Sequence, residues 1–543
     1  MFTRVAHRIL TAAVITFALT YAACAVETVM VPMRDGTKLA TDYFLPPGDG
    51  PFPVIVARSP YAKKAGHAFS MLFGAKGMAF VIQDTRGRGD SEGKDAVFGD
   101  DGWVERQDGV DTIKWVKAQP WCNGKVGTFG MSALAITSLL CASAGEPLTC
   151  QASWVGASQF YGEIAYNGGV FLKSLAEKWT ESQGSKYICD TWKSHPTYDA
   201  YWQGYNMDAR APKVDAPGLH VGGWWDIFGQ GTVNAFASRQ HNGAKNSKGQ
   251  QYLIIGPWGH GGPMGVKYGD LPLKDNNKFD INSETLKFLA YYLTENTGKP
   301  FDAPAVRYYT VGDAEAPDAP GNEWRTADDW PPFPTTETLF YLSADKSLSP
   351  VAPDSADAKL SFVFNPGDPC PTKGGANLTI DPGSFDQREL ESRPDVLAFA
   401  SAPLDAPIEM TGQVRVRLYV STDAADTDFT AKLLDIYPDG RAFNMLDGIR
   451  RVKFRMGYEK SELLPAGDVG ILEIELGPIS LIVNKGHRIG VHISSSNYPR
   501  YEVNPNTGAD FPVEGGEMRT AVNVIHMDKE HPSALVMPTP TKQ

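Results

Sequence analysis

The chain has 543 residues, 42% of them hydrophobic and 21% charged, with a net charge of −12. That length exceeds a single core and implies two or three domains. An acidic surface repels phosphate backbones and argues against nucleic acid as a partner.

Residues 1–25 read as a secretory signal. Arg4 and Arg8 give a positive start, Ile9 to Ala23 is an apolar run, and Ala23-Cys24-Ala25 has the small-x-small form of a cleavage site. The run falls short of the ~20 residues a membrane span needs. Tyr21 stands where a lipoprotein signal prefers an aliphatic, which disfavours lipidation at Cys24. The expectation is a periplasmic or secreted protein without a membrane span. Five cysteines then remain: Cys122, Cys141, Cys150, Cys189 and Cys370. An oxidising compartment favours some pairing, and Cys150 with Cys189 is the preferred pair. Their spacing fits no zinc pattern, so no metal is expected.

From Met30 the chain reads as strand and turn, with Asp35-Gly36 a hairpin signal. Pro53 to Ala57 and Met78 to Ile82 read as short buried parallel strands. Gln107 to Ala118 presents Val110, Ile113 and Val116 on a helical face. Val126 to Phe129 is a further strand, followed by a helix from Ala133. This alternation predicts a parallel sheet. Between residues 145 and 216 the pattern lapses into a stretch rich in Trp and Tyr, among them Trp154, Tyr161, Tyr166, Trp179, Trp192, Tyr198 and Trp202. It reads as a helical cap over the strand ends. The sheet resumes at Pro217 and ends in a helix over Ser283 to Glu295, capped by Asn282 or Ser283. After residue 300, period-two runs at Val414–Val420, Ile471–Leu476 and Arg488–Ile493, with turns at Pro438-Asp439-Gly440 and Asn484-Lys485-Gly486, predict an all-β jelly roll. The predicted fold class is therefore α/β: a hydrolase core over 26–144 and 217–300, a helical cap over 145–216 and a C-terminal jelly roll of galactose-binding type over 301–543.

Three strands end on residues suited to acyl-transfer chemistry: Ser132 after Val126-Gly127-Thr128-Phe129-Gly130-Met131, Asp226 after Leu219–Trp225, and His260 after Leu253–Gly259. The order Ser, Asp, His is that of α/β hydrolases, and in parallel sheets functional groups collect at strand carboxyl ends. Ser132 is the candidate nucleophile, which needs an adjacent base. Gly130 lets the chain turn sharply before it. Gly89-Asp90-Ser91-Glu92-Gly93 fits the G-x-S-x-G pattern better on paper, since position 134 is Leu. Ser91, however, lies in a Gly-rich loop with no apolar helix after it. His260 is the candidate base. His220 lies inside a strand, His487 and His492 fall in the sandwich, and His67 precedes the nucleophile. Asp226 would orient the imidazole, with Asp199 and Asp208 as alternatives in the cap. The backbone N–H of Ala133 is one oxyanion donor. Tyr61, in Ser59-Pro60-Tyr61, is a candidate for the second, with packing as its competing role.

These residues resemble the X-Pro dipeptidyl-peptidase / cocaine esterase / α-amino-acid ester hydrolase group of serine hydrolases. The likeness runs through Arg34-Asp35-Gly36, Ser59-Pro60-Tyr61, Asp84-Thr85-Arg86-Gly87-Arg88-Gly89, Gln119-Pro120-Trp121, Gly223-Trp224-Trp225-Asp226 and Gly256-Pro257-Trp258-Gly259-His260. The sandwich adds Asp426-Thr427-Asp428 and Ser494-Ser495-Ser496-Asn497-Tyr498. The resemblance implies Ser132, Asp226 and His260 as the triad, and Tyr61 with the Ala133 N–H as the oxyanion hole. It places Phe228 at the acyl pocket, and Trp225 is assigned there with it. One departure is visible: the residue after the nucleophile is commonly Tyr, and Ala133 makes that pocket wall smaller. The expected reaction is hydrolysis of a small-molecule ester or amide through an acyl-enzyme, with no cofactor. Homo-oligomerisation is left open. The competing expectation, an X-Pro dipeptidyl-peptidase or amino-acid ester hydrolase acting on short peptides or amino acids, requires carboxylates for a substrate ammonium; Glu163, Glu177 and Glu181 are the candidates. A third reading, a carbohydrate-binding jelly roll on an inactive core, requires a broken triad.

Overall fold

The computed structural model describes residues 26–263, 267–295 and 297–541. The leader reading and Cys24 lie outside them. Among the described residues no helix is long and apolar enough to cross a membrane.

A ten-stranded sheet carries the site. In chain order its strands are β1 (Val26–Pro32), β2 (Lys38–Phe44), β3 (Phe52–Ser59), β4 (Ala79–Asp84), β5 (Cys122–Met131), β6 (Cys150–Trp154), β7 (Gly218–Gly223), β8 (Gln251–Gly256), β9 (Val306–Thr310) and β10 (Glu323–Ala327). Their order across the sheet is β1-β2-β4-β3-β5-β6-β7-β8-β9-β10. From β4 through β9 every pairing is parallel, and the two edges are antiparallel. The central strands read as unbroken apolar runs because both faces are covered: β4, β6 and β7 are buried along their whole length. The helices used below are α1 (Ala68–Gly74), α2 (Asp108–Lys117), α3 (Ala133–Ser143), α4 (Lys173–Ser182), α5 (Tyr187–Lys193), α6 (Gly229–Asn242) and α7 (Ile281–Ala290).

The sheet reaches further than periodicity indicated. Cys150–Trp154, within the span assigned to the cap, is a central strand, so the chain leaves the sheet only after Trp154. Past residue 300, β9 and β10 still belong to this sheet. The last helix starts earlier than expected: the Asp280 carboxylate accepts from the Ser283 N–H and caps α7 at Ile281.

The expected pairing of Cys150 with Cys189 is not formed. All five described cysteines are free. Cys150 lies inside the sheet, with its sulfur against Gly127. The Cys189 thiol, on α5 in the cap, is 3.2 Å from Thr180 Oγ1.

The segment between β6 and β7 supplies the cap, including α4, α5 and a cluster around the fully buried Trp192 and Trp202. The C-terminal domain is all-β, as expected. Its strands form one hydrogen-bonded set of eleven, in which Ile408–Thr422 pairs antiparallel with Gly470–Val483 across a register shift at Val414/Arg415.

Candidate active site

The strand-to-helix turn after β5 holds Ser132 at φ 57°, ψ −123°. A side chain rarely adopts this left-handed backbone, and such strain persists only where the surroundings enforce it. The enforcement is visible. The Ser132 N–H donates to the Trp154 carbonyl at 2.9 Å, and the Ser132 carbonyl accepts the first helical bond of α3 from Ile136 at 3.0 Å. Gly130 is required beneath the turn, because a Cβ there would lie 2.1 Å from the Leu134 carbonyl oxygen. Ala133 opens α3, so its N–H is one of the first-turn donors that no helical carbonyl satisfies.

The ends of β7 and β8 converge in the same region. The Trp224 N–H donates to the Gly256 carbonyl and the Trp225 N–H to the Trp258 carbonyl, each at 2.9 Å. Gly223 permits the approach, since a Cβ there would sit 2.2 Å from the Trp258 carbonyl oxygen. This crossing delivers Asp226 to His260. Asp226 Oδ1 is 2.7 Å from His260 Nδ1, and His260 Nε2 is 2.7 Å from Ser132 Oγ. The Asp226 side chain is fully buried and that of His260 is 11% exposed. Asp226 also accepts from the Phe228 N–H at 3.2 Å, and its second oxygen has no hydrogen-bond partner among the described residues. The turn carrying His260 is pinned by the Tyr268 hydroxyl, which donates to the Gly262 carbonyl at 2.9 Å.

Tyr61 projects from the loop after β3 and is 36% exposed. Its hydroxyl is the sheltered end. It accepts from Trp179 Nε1 at 2.9 Å, and Tyr61 lines the same slot as Ser132. Burial of that end pushes the phenol pKa up, and the Trp179 and Ser132 contacts oppose the shift.

A narrow slot opens beside Ser132, with about 360 Å³ of empty space counting its mouth. Its floor is Ala133 and Ile136 of α3, with Phe228 on one side. The Phe228 ring stands edge-on to the His260 imidazole, 5.5 Å between centroids. The cap adds Ile164, Leu175, Trp179 and Trp192, and the C-terminal domain adds Leu378. Phe98 completes the wall from a loop in which both Val97 and Phe98 take positive φ. Phe98 and Leu378 went unnoticed in the sequence. Neither lies at a strand end or in a motif, and only the folded chain brings them to Ser132.

One pocket assignment is corrected. Trp225 does not line the slot. It is 1% exposed and faces the C-terminal domain, where its Nε1 donates to the Met445 carbonyl at 3.1 Å. Trp225 stands in the turn that follows β7, not in the strand itself, and that turn carries its ring to the all-β domain.

The competing residues are occupied elsewhere. The Ser91 hydroxyl donates to the Asp84 carbonyl and accepts from the Ala40 N–H. The same loop is an ionic staple, with Arg86 joining Asp35 after β1 to Asp108 of α2 at 2.8 and 2.7 Å. Arg86 holds the Asp35 carboxyl down to about 2. His220 is buried against Gln251, and burial pushes it down to about 3. His67, His487 and His492 pair with Asp42, Asp435 and Glu391. Asp199 caps a single helical turn at Ala200–Gln203, and Asp208 bonds Ser158 and Ser238. None of the three candidate carboxylates lines the slot. Glu163 accepts from the Ser158 N–H at 2.7 Å, Glu177 is paired with Lys173 and Lys193, and Glu181 faces Lys186. Among the described residues one trio has metal-ligand chemistry, His526, Asp528 and His531. It runs from the end of the strand Ala521–His526 into the loop before Ala534–Pro540 and is not in the slot.

A doubly covered parallel sheet with an Asp–His–Ser hydrogen-bond chain at its strand ends defines a serine hydrolase of the α/β-hydrolase class. The model of the X-Pro dipeptidyl-peptidase (S15 family) matches residues 35–186 and 173–262, and that of the X-Pro dipeptidyl-peptidase C-terminal non-catalytic domain matches 299–536. The cocaine esterase of Rhodococcus sp. (strain MB1 Bresler) is 33% identical over 94% of this chain and 98% of its own. The chain belongs to this family of serine hydrolases. Two solved structures share the fold, each 24% identical and covering 97% of this chain and 99% of their own. They are an aminopeptidase from a marine sediment archaeon, Thaumarchaeota archaeon, with a TM-score of 0.83, and an α-amino acid ester hydrolase, with a TM-score of 0.82.

Proposed function

We propose that this chain hydrolyses small-molecule carboxylic esters whose acyl group is apolar or aromatic, through an acyl-enzyme on Ser132. His260 Nε2 takes the Ser132 proton as Oγ attacks the ester carbonyl, and Asp226 stabilises the imidazolium that forms. The carbonyl oxygen, now negative, is received by the Ala133 N–H and the Tyr61 hydroxyl. The imidazolium returns its proton to the leaving alcohol. Water then repeats the sequence and releases the acid.

The observation that carries this reading is the 2.7 Å contact of Ser132 with His260 at the mouth of an apolar slot. An aromatic acyl group suits walls made of Phe98, Phe228, Trp179 and Trp192. The cocaine esterase relative supports ester chemistry. The family model's name favours release of X-Pro dipeptides, and this is the second reading. Against it, the carboxylates that would hold a substrate ammonium are bonded elsewhere. The test compares p-nitrophenyl benzoate and butyrate with Xaa-Pro-p-nitroanilides and β-lactams, using Ser132→Ala as the blank. Ester turnover should exceed anilide turnover. Faster release of nitroaniline would reverse the assignment.

Export of the chain is part of the same proposal, supported by the charge and apolar pattern of residues 1–25. Mass analysis of the secreted or periplasmic protein should find a mature chain beginning at Val26, and a full-length cytoplasmic product would refute it.

A further inference from the structure

We propose that the cap helix α4 is a working part of the oxyanion hole: Trp179 sets the direction of the Tyr61 hydroxyl, and Arg88 holds the two in register. This deepens the reading above and rests on Tyr61 acting as an oxyanion donor.

An indole N–H donates and accepts nothing. With Trp179 Nε1 2.9 Å from the Tyr61 oxygen, the phenolic hydrogen cannot point at the cap. It is left to the side of the oxygen away from the indole, and Tyr61 lines the slot together with Ser132 and Ala133. A phenol free to rotate about its C–O bond would spend part of its time misdirected. A donor-only partner removes that freedom before substrate arrives, which is what preorganised oxyanion stabilisation requires. The donated hydrogen bond also draws charge from the oxygen and makes its own O–H a stronger donor.

Trp179 is itself held. Its ring stacks on Phe98, 5.6 Å between centroids and 12° from parallel, and meets the Tyr61 ring edge-on at 6.4 Å. Phe98 reaches that place through two successive residues of positive φ, a conformation a surface loop has no reason to keep.

Arg88 ties the backbones. Its Nε donates to the carbonyl of Pro60, the residue before Tyr61, at 2.9 Å. One terminal nitrogen donates to the carbonyl of Gln183, the residue that closes α4, at 2.5 Å, and the other to Gln183 Oε1 at 3.1 Å. The first also reaches Ser185 Oγ at 3.3 Å and Asp95 at 3.5 Å. One planar guanidinium thus spans the loop bearing Tyr61 and the helix bearing Trp179. An ammonium lacks the fork to do so. Both Trp179 and Arg88 are positioning residues here, acting through Tyr61.

The experiment is a pair of double-mutant cycles read as kcat and KM on p-nitrophenyl butyrate, a substrate too small to depend on the full aromatic wall. Trp179→Phe keeps the ring and removes the N–H; Arg88→Lys keeps the charge and removes the fork. Each should lower kcat about tenfold with KM within about threefold, a fraction of the 10²–10³ that loss of a whole oxyanion donor costs. In the Tyr61→Phe background neither substitution should lower kcat further, because its target is gone. An equal loss of kcat with or without Tyr61 overturns the proposal, as does an unchanged kcat in both single variants that retain wild-type near-UV circular dichroism. If Trp179→Phe fails to fold, the Arg88→Lys cycle decides alone. Tyr61→Phe with full kcat would instead refute Tyr61 as a donor, a failure of the underlying reading that this design separates from failure of the inference.

Discussion

Gly130→Ala tests the strand-end geometry with the smallest possible perturbation. The added Cβ would stand 2.1 Å from the Leu134 carbonyl oxygen, 2.2 Å from its carbon and 2.4 Å from the Ala135 nitrogen. All three are backbone atoms of the first turn of α3, so no side chain can swing aside to make room. Real Cβ atoms essentially never come within 3.0 Å of such atoms, so β5 and α3 must part by about 1 Å. Ser132 is the residue between them, and a displacement of about 1 Å at a reacting atom costs on the order of 10²-fold in rate. Overpacking of this kind also costs about 1–3 kcal/mol in stability. The assay is kcat on p-nitrophenyl butyrate, together with the labelling rate of Ser132 by a fluorophosphonate, on protein whose near-UV circular dichroism matches the wild type. Both rates should fall together by about two orders of magnitude. A folded Gly130→Ala protein with kcat within threefold of wild type would refute the claim that this approach sets the nucleophile.

Asp226→Asn should leave the fold and KM nearly unchanged while lowering kcat by about 10³–10⁴-fold, since the amide no longer fixes the imidazole's tautomer or its charge; a loss under tenfold would remove Asp226 from the chain. Glu163 gives a pH prediction. Burial, then the charge of Asp208, pushes its carboxyl up to about 8, against an ordinary value of 4.5. Below pH 4.5 folded and unfolded chains both hold the proton; between 4.5 and about 8 only the folded one does. Stability contributed by the protonated group is therefore lost as pH rises through that window. Glu163→Gln should gain on wild type in urea midpoints between pH 5 and pH 8, by at least about 1 kcal/mol, and a constant or shrinking difference would contradict this. Trp225→Phe should cost about 1 kcal/mol by removing the bond to Met445 yet leave kcat/KM on short esters within twofold, whereas a large rise in KM would return Trp225 to the pocket.

What could be read from the sequence and what could not divide along a physical line. Ser132, Asp226 and His260 each follow a short apolar run, and a parallel sheet brings such ends together whatever the intervening chain does. Three local patterns therefore predicted one spatial cluster. The strand Cys150–Trp154 escaped because Gln151 and Ser153 break its apolar run. The structure accounts for Gln151, whose Nε2 bonds Thr128 and Ser138; Ser153 pairs with His220 through the backbone ladder alone, and its hydroxyl has no hydrogen-bond partner among the described residues. A polar residue satisfied by distant partners carries no strand signal of its own. The same reasoning explains Trp225. Its neighbour Asp226 is defined by the turn it stands on, but the direction of the indole depends on a domain edge 220 positions later. The slot is the extreme case. Its floor comes from α3 and one side from Phe228 before α6, but the rest of its walls come from the cap, the Phe98 loop and Leu378 of the C-terminal domain. Nucleophile and base can thus stay fixed while substitutions in three separate segments reshape the slot. Chemistry placed at strand ends and specificity placed in covering segments are consistent with one family holding both esterases and peptidases.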